Sequence, residues 1–324
     1  MKNKIETQDK IFIAGSNGMV GSAVLRLFKK NGYKKNLLIP TREELNLLDI
    51  TSVKKWFITN KPDIVIIAAA KVGGILANSM NPADFILDNL KIQTNVIESS
   101  WNYGIKRLLF LGSSCIYPKY SNQPIKEECL LTGGLENTNE YYAIAKIAGL
   151  KLCESLRMQY GFDAITLMPT NLYGPNDNYH SENSHVMASL LKKFLIAKSQ
   201  KLDSVTCWGS GEVLREFMHV DDLAEAIIFC LNNWHPGSNN SPVDKSGKFL
   251  YHLNVGTGKD ISIKDLANKI AKISKFEGEI LWDKTKPDGT PKKQLDISKI
   301  NELGWQAKID LNLGIKKTIS QLSF

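Results

Sequence analysis

Near the N-terminus an apolar run, Lys10-Ile11-Phe12-Ile13-Ala14, leads directly into Gly15-Ser16-Asn17-Gly18-Met19-Val20-Gly21, after which Val20, Ala23, Val24, Leu27 and Phe28 recur at helical spacing. A buried strand, a glycine turn and an amphipathic helix in this order form a dinucleotide-binding unit. The glycines permit a tight turn and close backbone approach, and the N-terminus of the helix faces a pyrophosphate. No other stretch limits the possible folds as strongly. The next apolar run, 36–39, ends in Pro40, Thr41 and Arg42, followed by Glu43 and Glu44. An acidic residue at that strand end would bond the ribose 2′-hydroxyl of NAD, whereas an arginine accommodates the 2′-phosphate of NADP. Arg42 therefore favours NADP, with a solvated loop position as its alternative.

Further along, strand-like and helix-like segments alternate as in a doubly wound parallel sheet. Thr51 is expected to cap a helix over 52–59, a buried strand is expected at 63–70, and Pro82 should open a long helix to about 103. A buried strand over 107–113 places Ser113 at its carboxyl end, the edge where open α/β sheets bind ligands. Helices are expected over 140–160, 186–199 and 220–234, a strand over 164–169, and polar loops over 176–184 and 236–248. The fold class expected is α/β, a Rossmann-type doubly wound parallel sheet with a smaller C-terminal α/β substrate domain. Residues 1–174 would bind the nucleotide cofactor, with 217–256 returning to that domain, while 175–216 and 257–324 would bind substrate.

Glu140-Tyr141-Tyr142-Ala143-Ile144-Ala145-Lys146 carries the chemistry. A phenol with a reference pKa of about 10 is a poor acid-base catalyst at neutral pH, and a cation one turn away favours its phenolate. Positions i and i+4 share a helix face, so Tyr142 and Lys146 meet. A hydroxyl from Ser113, on a separate strand end, can bond the same carbonyl oxygen. The three residues together point to reduction of a ketone or oxidation of an alcohol.

The 324 residues carry a net charge of +8, but their lysines are scattered and no basic block is interleaved with aromatics. A basic solvated surface, aided by an anionic substrate, is expected rather than a nucleic-acid partner. Cys115, Cys129, Cys153, Cys207 and Cys230 form no Cys-x-x-Cys pair and the N-terminus lacks a signal-peptide pattern. Reduced thiols, a cytoplasmic location, no membrane span and no metal site are the corresponding expectations.

Longer stretches carry a resemblance that covers essentially the whole chain. These are Ala68-Ala69-Ala70-Lys71-Val72-Gly73-Gly74-Ile75, Leu109-Phe110-Leu111-Gly112-Ser113-Ser114-Cys115-Ile116-Tyr117-Pro118-Lys119, Tyr142-Ala143-Ile144-Ala145-Lys146-Ile147-Ala148-Gly149 and Met168-Pro169-Thr170-Asn171-Leu172-Tyr173-Gly174-Pro175. Arg215-Glu216-Phe217-Met218-His219-Val220-Asp221-Asp222 and Lys286-Pro287-Asp288-Gly289-Thr290-Pro291 extend it into the second domain. On these residues the chain resembles the GDP-L-fucose synthase family of the extended short-chain dehydrogenases/reductases.

The resemblance implies NADPH-dependent reduction of the C4 ketone of a GDP-4-keto-sugar, with inversion at C3 and C5 in the same pocket. Ser113, Tyr142 and Lys146 would be the reductase triad, and Cys115 and His185 the epimerisation pair. Reference pKa values of about 8.5 and 6.5 suit thiol and imidazole to that exchange. By resemblance NADPH would lie on Gly15, Ser16, Asn17, Gly18, Met19, Val20, Gly21, Arg42, Asp49, Ala69, Leu111, Gly112, Lys146, Pro169, Asn171 and Leu172. Ser114, Asn171, His185, Lys193, Trp208, Arg215 and Asp288 would hold the GDP-sugar. From the residues alone, Trp208 reads as core, and Lys193 and Asp288 as solvated surface.

Asn17 stands where NADPH-using relatives can carry an arginine, which removes one of two 2′-phosphate contacts. Three other readings remain: a C4 reductase without epimerisation acting on a related GDP-4-keto-heptose, a non-catalytic NADP-sensing regulator, and a basic nucleic-acid binder. A homodimer built on the two long helices is a further implication of the resemblance.

Overall fold

The structure is a computed structural model and describes residues 5–33, 35–180 and 184–322. Its centre is a six-stranded parallel sheet built from β1 (Ile11–Ala14), β2 (Leu37–Leu38), β3 (Ile64–Ile67), β4 (Arg107–Leu111), β5 (Ala164–Pro169) and β9 (His252–Val255), in the order β2-β1-β3-β4-β5-β9. The connection direction reverses between β1 and β3, the crevice where such sheets receive ligands.

Both sheet faces are covered, which explains why the strands read as unbroken apolar runs rather than alternating ones. Ile11 and Ile13 point into one core with Val24, Phe28 and Leu109, whereas Phe12 and Ala14 point into the other with Val65, Val96 and Phe110. The first layer holds α1 (Met19–Lys30) and α7 (Val220–Asn233), which pack together; the second holds α2 (Ile50–Asn60), α4 (Pro82–Asn102) and α5 (Glu140–Tyr160). Gly149 lets α5 lie against Phe110 and Gln93, since a Cβ there would approach both to within 2.8 Å.

A third core lies beyond the sheet's carboxyl edge. It joins α6 (Val186–Ser199), α8 (Ile263–Ser274) and α10 (Leu311–Ile319) to the strand pair β7 (Ser204–Trp208) and β11 (Glu279–Asp283). A small mixed sheet forms the seam. In it, β8 (Leu214–His219) pairs with β6 (Asn171–Tyr173), β10 (Asp260–Ser262) and β12 (Lys292–Lys293). Short helices α3 (Ile75–Met80) and α9 (Ser298–Glu302) complete the chain, and α3 lies inside a stretch with no expected helix.

One local expectation is corrected. Asp49, not Thr51, caps α2, its carboxylate accepting from the Thr51 N–H at 2.9 Å. Asp49 precedes the helix in extended backbone, the conformation from which a short acceptor reaches the first-turn amides. Among the described residues no helix is long and apolar enough to cross a membrane.

Candidate active site

The glycine turn joins β1 to α1 at the point where the sheet reverses. Gly15 has φ +86°, a conformation L side chains rarely adopt, and a Cβ there would lie 2.7 Å from the Ala69 nitrogen. A Cβ on Gly21 would come within 2.1 Å of the Gly15 carbonyl oxygen, so helix and turn touch only because both residues lack one. Gly18 precedes α1 with no side-chain cap. The first-turn amides are thus left to an external anion, the arrangement that suits a pyrophosphate.

At the end of β2, Thr41 and Glu44 cap each other, the Thr41 N–H donating to Glu44 at 2.8 Å. The Arg42 guanidinium is exposed and makes no hydrogen bond or salt bridge with the described residues. Asp49 is engaged as the cap of α2. The remaining positions expected at the cofactor, Leu111, Gly112, Pro169, Asn171 and Leu172, line the ends of β4, β5 and β6. Of these, Asn171 donates through Nδ2 to the Glu216 carbonyl at 2.7 Å.

Beyond β4 the chain makes a single 3-10 turn over Ser114–Ile116, and the Ser113 hydroxyl accepts from the Cys115 N–H at 3.2 Å. This turn brings Ser113 and Cys115 to the start of α5. The Tyr142 hydroxyl lies beside the Ser113 side chain, which lowers its pKa, but burial and the Cys115 sulfur together push the pKa up. Lys146 is 3% exposed and donates to the Leu111 carbonyl at 2.9 Å, with its ammonium 5.8 Å from the centre of the Tyr142 ring. Burial brings its own pKa down to about 7. The expectation that Lys146 lowers the Tyr142 pKa is therefore corrected: the ammonium is turned onto a carbonyl, and desolvation dominates both groups.

Cys115 is half-buried and meets two donors, Asn139 Nδ2 and Lys293 Nζ, each 3.4 Å from Sγ. Burial pushes the thiol up. Lys293, the Ser113 hydrogen bond and Arg215 outweigh it and leave the pKa below the ordinary thiol value. A cavity of about 20 Å³ adjoins the sulfur, lined among others by Ser114, Lys119, Glu136, Asn139 and Lys293. The register of β8 and β12 sets Lys293 beside Arg215. His185, immediately before α6, also feels the Lys293 charge, although burial is the larger cause of its lowered pKa. One ammonium thus links Cys115 and His185.

Farther out, Trp208 is 47% exposed, with the ammonium groups of Lys193 and Lys286 at 5.4 and 5.3 Å from its ring. It is an open aromatic face, not core. Arg215 donates to the Leu214 and Asp288 carbonyls at 2.8 and 3.1 Å. The Asp288 carboxylate folds back onto the Ser210 N–H at 2.8 Å and packs against Gly209, so it shapes the loop under Trp208. Within the expected 176–184 loop, residues 181–183 lie outside the described residues, and the Tyr179 hydroxyl donates to the Gly174 carbonyl at 3.3 Å.

Lys293 and Asn139 were not singled out in the sequence. Lys293 follows the quoted Lys286–Pro291 stretch by two residues, and only the strand pairing reveals its neighbours. Asn139 reads as an ordinary helix start.

Comparison with known proteins identifies the family. The NAD dependent epimerase/dehydratase family matches residues 11–243. "Putative GDP-L-fucose synthase 2" of Arabidopsis thaliana is 52% identical over 97% of this chain and 92% of its own. "GDP-L-fucose synthase" of Escherichia coli K12 is 49% identical over 96% of each. Among solved structures, a GDP-mannoheptose C4 reductase from Campylobacter jejuni with NADP bound superposes with TM-score 0.87 at 38% identity, covering 98% of this chain and 99% of that one.

Proposed function

The chain belongs to the NAD dependent epimerase/dehydratase family and, within it, to the GDP-L-fucose synthases, and on that premise we propose how its residues divide the work. It is an NADPH-dependent GDP-4-keto-sugar reductase with 3,5-epimerase activity. The observation that carries the division is the juxtaposition of Cys115 with Ser113 and Tyr142 on one side and Lys293 on the other.

The C4 ketone acidifies the protons on C3 and C5. The Cys115 thiolate takes such a proton, leaving an enolate, and His185 returns one to the opposite face. Inversion at both carbons gives the L-configured keto-sugar. In reduction, Tyr142 donates the proton to the C4 oxygen while Ser113 orients that oxygen. A raised Tyr142 pKa keeps the phenol protonated, as a proton donor requires. Bound NADPH supplies the hydride. The Gly15–Gly21 turn and the uncapped start of α1 fit its pyrophosphate, and Arg42 has its guanidinium free for the 2′-phosphate. Lys146 would meet the nicotinamide ribose.

Residues 1–174 with 217–256 form the NADP-binding domain in this reading, and 175–216 with 257–324 hold the GDP-sugar. Trp208 offers its face to the base. Lys193 and Arg215 offer charge to the diphosphate, for which a guanidinium fork is well shaped. We place a homodimer interface on α4 and α5, which expose Leu87, Tyr141, Ile144 and Met158. Five free cysteines suit a reducing cytoplasm.

GDP-4-keto-6-deoxy-mannose is the substrate we favour, and GDP-L-fucose its product. A GDP-4-keto-heptose is the second reading, prompted by the likeness to the heptose reductase. NADPH oxidation measured with each keto-sugar separates them. Turnover of the 6-deoxy sugar at a higher kcat/KM supports the first reading; preference for the heptose replaces it, and oxidation with neither overturns both.

A further inference from the structure

Asn139 stands directly before α5, where an asparagine side chain ordinarily accepts from the first-turn N–H groups. Here it makes no such bond. Its Nδ2 donates to Cys115 Sγ at 3.4 Å, and its Oδ1 is buried with no hydrogen-bond partner among the described residues. A buried orphan acceptor and a forgone cap both disfavour the fold, and such departures concentrate where a site requires them. The sulfur is what this arrangement serves. Lys293 reaches it from β12 at the same distance, so two donors from opposite sides of the cleft converge on one atom.

We infer that Asn139 is a positioning residue for proton abstraction: with Lys293 it holds the Cys115 sulfur as a proton-accepting thiolate and fixes it relative to the helix that carries Tyr142 and Lys146. The inference rests on the reading of Cys115 as the epimerisation base.

An amide nitrogen donates and does not accept, so contact through Nδ2 favours S⁻ over S–H. In the step served, the C–H bond at C3 or C5 breaks, its electron pair enters the enolate, and the proton forms S–H on Cys115. The charged or titratable groups facing the sulfur are Lys293 from β12, Arg215 from β8 and Tyr142 from α5, with His185 facing Lys293. Lys119 and Glu136 line the adjoining cavity and pair with each other at 2.8 Å, which cancels most of the Glu136 charge. The cations favour the anionic sulfur, but a lysine on a two-residue edge strand cannot by itself aim it toward α5. Asn139 supplies that direction.

The test reads the thiol and the reaction separately. Rates of Cys115 alkylation by iodoacetamide, mapped by peptide mass spectrometry from about pH 5 to 10, give the thiolate midpoint for wild type, Asn139→Ala and Asn139→Asp. Deuterium uptake from D₂O into GDP-4-keto-6-deoxy-mannose, without NADPH, is followed over the same range. Asn139→Ala should raise the alkylation midpoint by about one unit, which is tenfold less thiolate below it. Asn139→Asp keeps the size, guards against a loosened α5, and should raise it by about two units through like charge. The deuterium-uptake profile should move with the midpoint in each variant. An unchanged Cys115 midpoint in both variants overturns the inference. A midpoint that moves while the deuterium profile does not supports Asn139's hold on the sulfur and overturns the reading of Cys115 as base.

Discussion

Ser113, Tyr142 and Lys146 stand on the end of β4 and the first turns of α5, in a wall packed against the central sheet. Arg215, Lys293 and His185 come from three separate segments around a small edge sheet and the start of α6. On the first wall burial raises the Tyr142 pKa and lowers that of Lys146 to about 7. The second is cationic, and it bends the same burial penalty the other way at Cys115, whose pKa falls. In the proposed function the difference matches two tasks: reduction needs a proton that stays on its phenol until the ketone arrives, whereas epimerisation and diphosphate binding need negative charge held in place.

Substitutions on each wall should therefore separate the two activities. Tyr142→Phe should cost the most, with ketone reduction falling about 10²- to 10⁴-fold while deuterium uptake without NADPH persists. Parallel loss of both would merge the two walls into one function. Cys115→Ser should lower deuterium uptake about 10²-fold, and reduction of an already epimerised keto-sugar should fall far less; steady-state kinetics with the two substrates measures the split. Arg215→Met should raise KM for the GDP-sugar about tenfold to a hundredfold with a smaller change in kcat, because a half-buried cation meets a desolvated diphosphate. Arg42→Ala should be mildest. KM for NADPH should rise about two- to fivefold with no change for NADH, as befits an exposed contact.

The two walls were also unequally legible in the sequence. The strand–glycine–helix order and the four-residue spacing of Tyr142 and Lys146 are local patterns, and the structure has both the glycine turn between strand and helix and the Tyr142/Lys146 pair on one helix. Helix α5 runs over Glu140–Tyr160 as its periodicity predicts, ended by Gly161 in the left-handed conformation. Two details escaped because they depend on competition between neighbours. Asp49 takes the cap expected of Thr51, and the Leu111 carbonyl takes the Lys146 ammonium expected at Tyr142. Lys293 and Asn139 escaped for another reason. Their contacts with Cys115 span 178 and 24 residues of chain, and nothing in the composition of either segment marks the sulfur as the partner. Trp208, which reads as core on hydrophobicity alone, is open because Gly209 and Asp288 turn its loop outward.

In the proposed function one cleft inverts carbon centres beside Cys115 and Lys293 before Tyr142 protonates the C4 oxygen in reduction. Incubation of the wild-type protein with GDP-4-keto-6-deoxy-mannose in D₂O, first without and then with NADPH, separates the two steps. Deuterium at both C3 and C5 before NADPH is added, followed by NADPH oxidation and an L-configured product, is the expected result. NADPH oxidation with no deuterium at either carbon would contradict the account and leave a reductase alone.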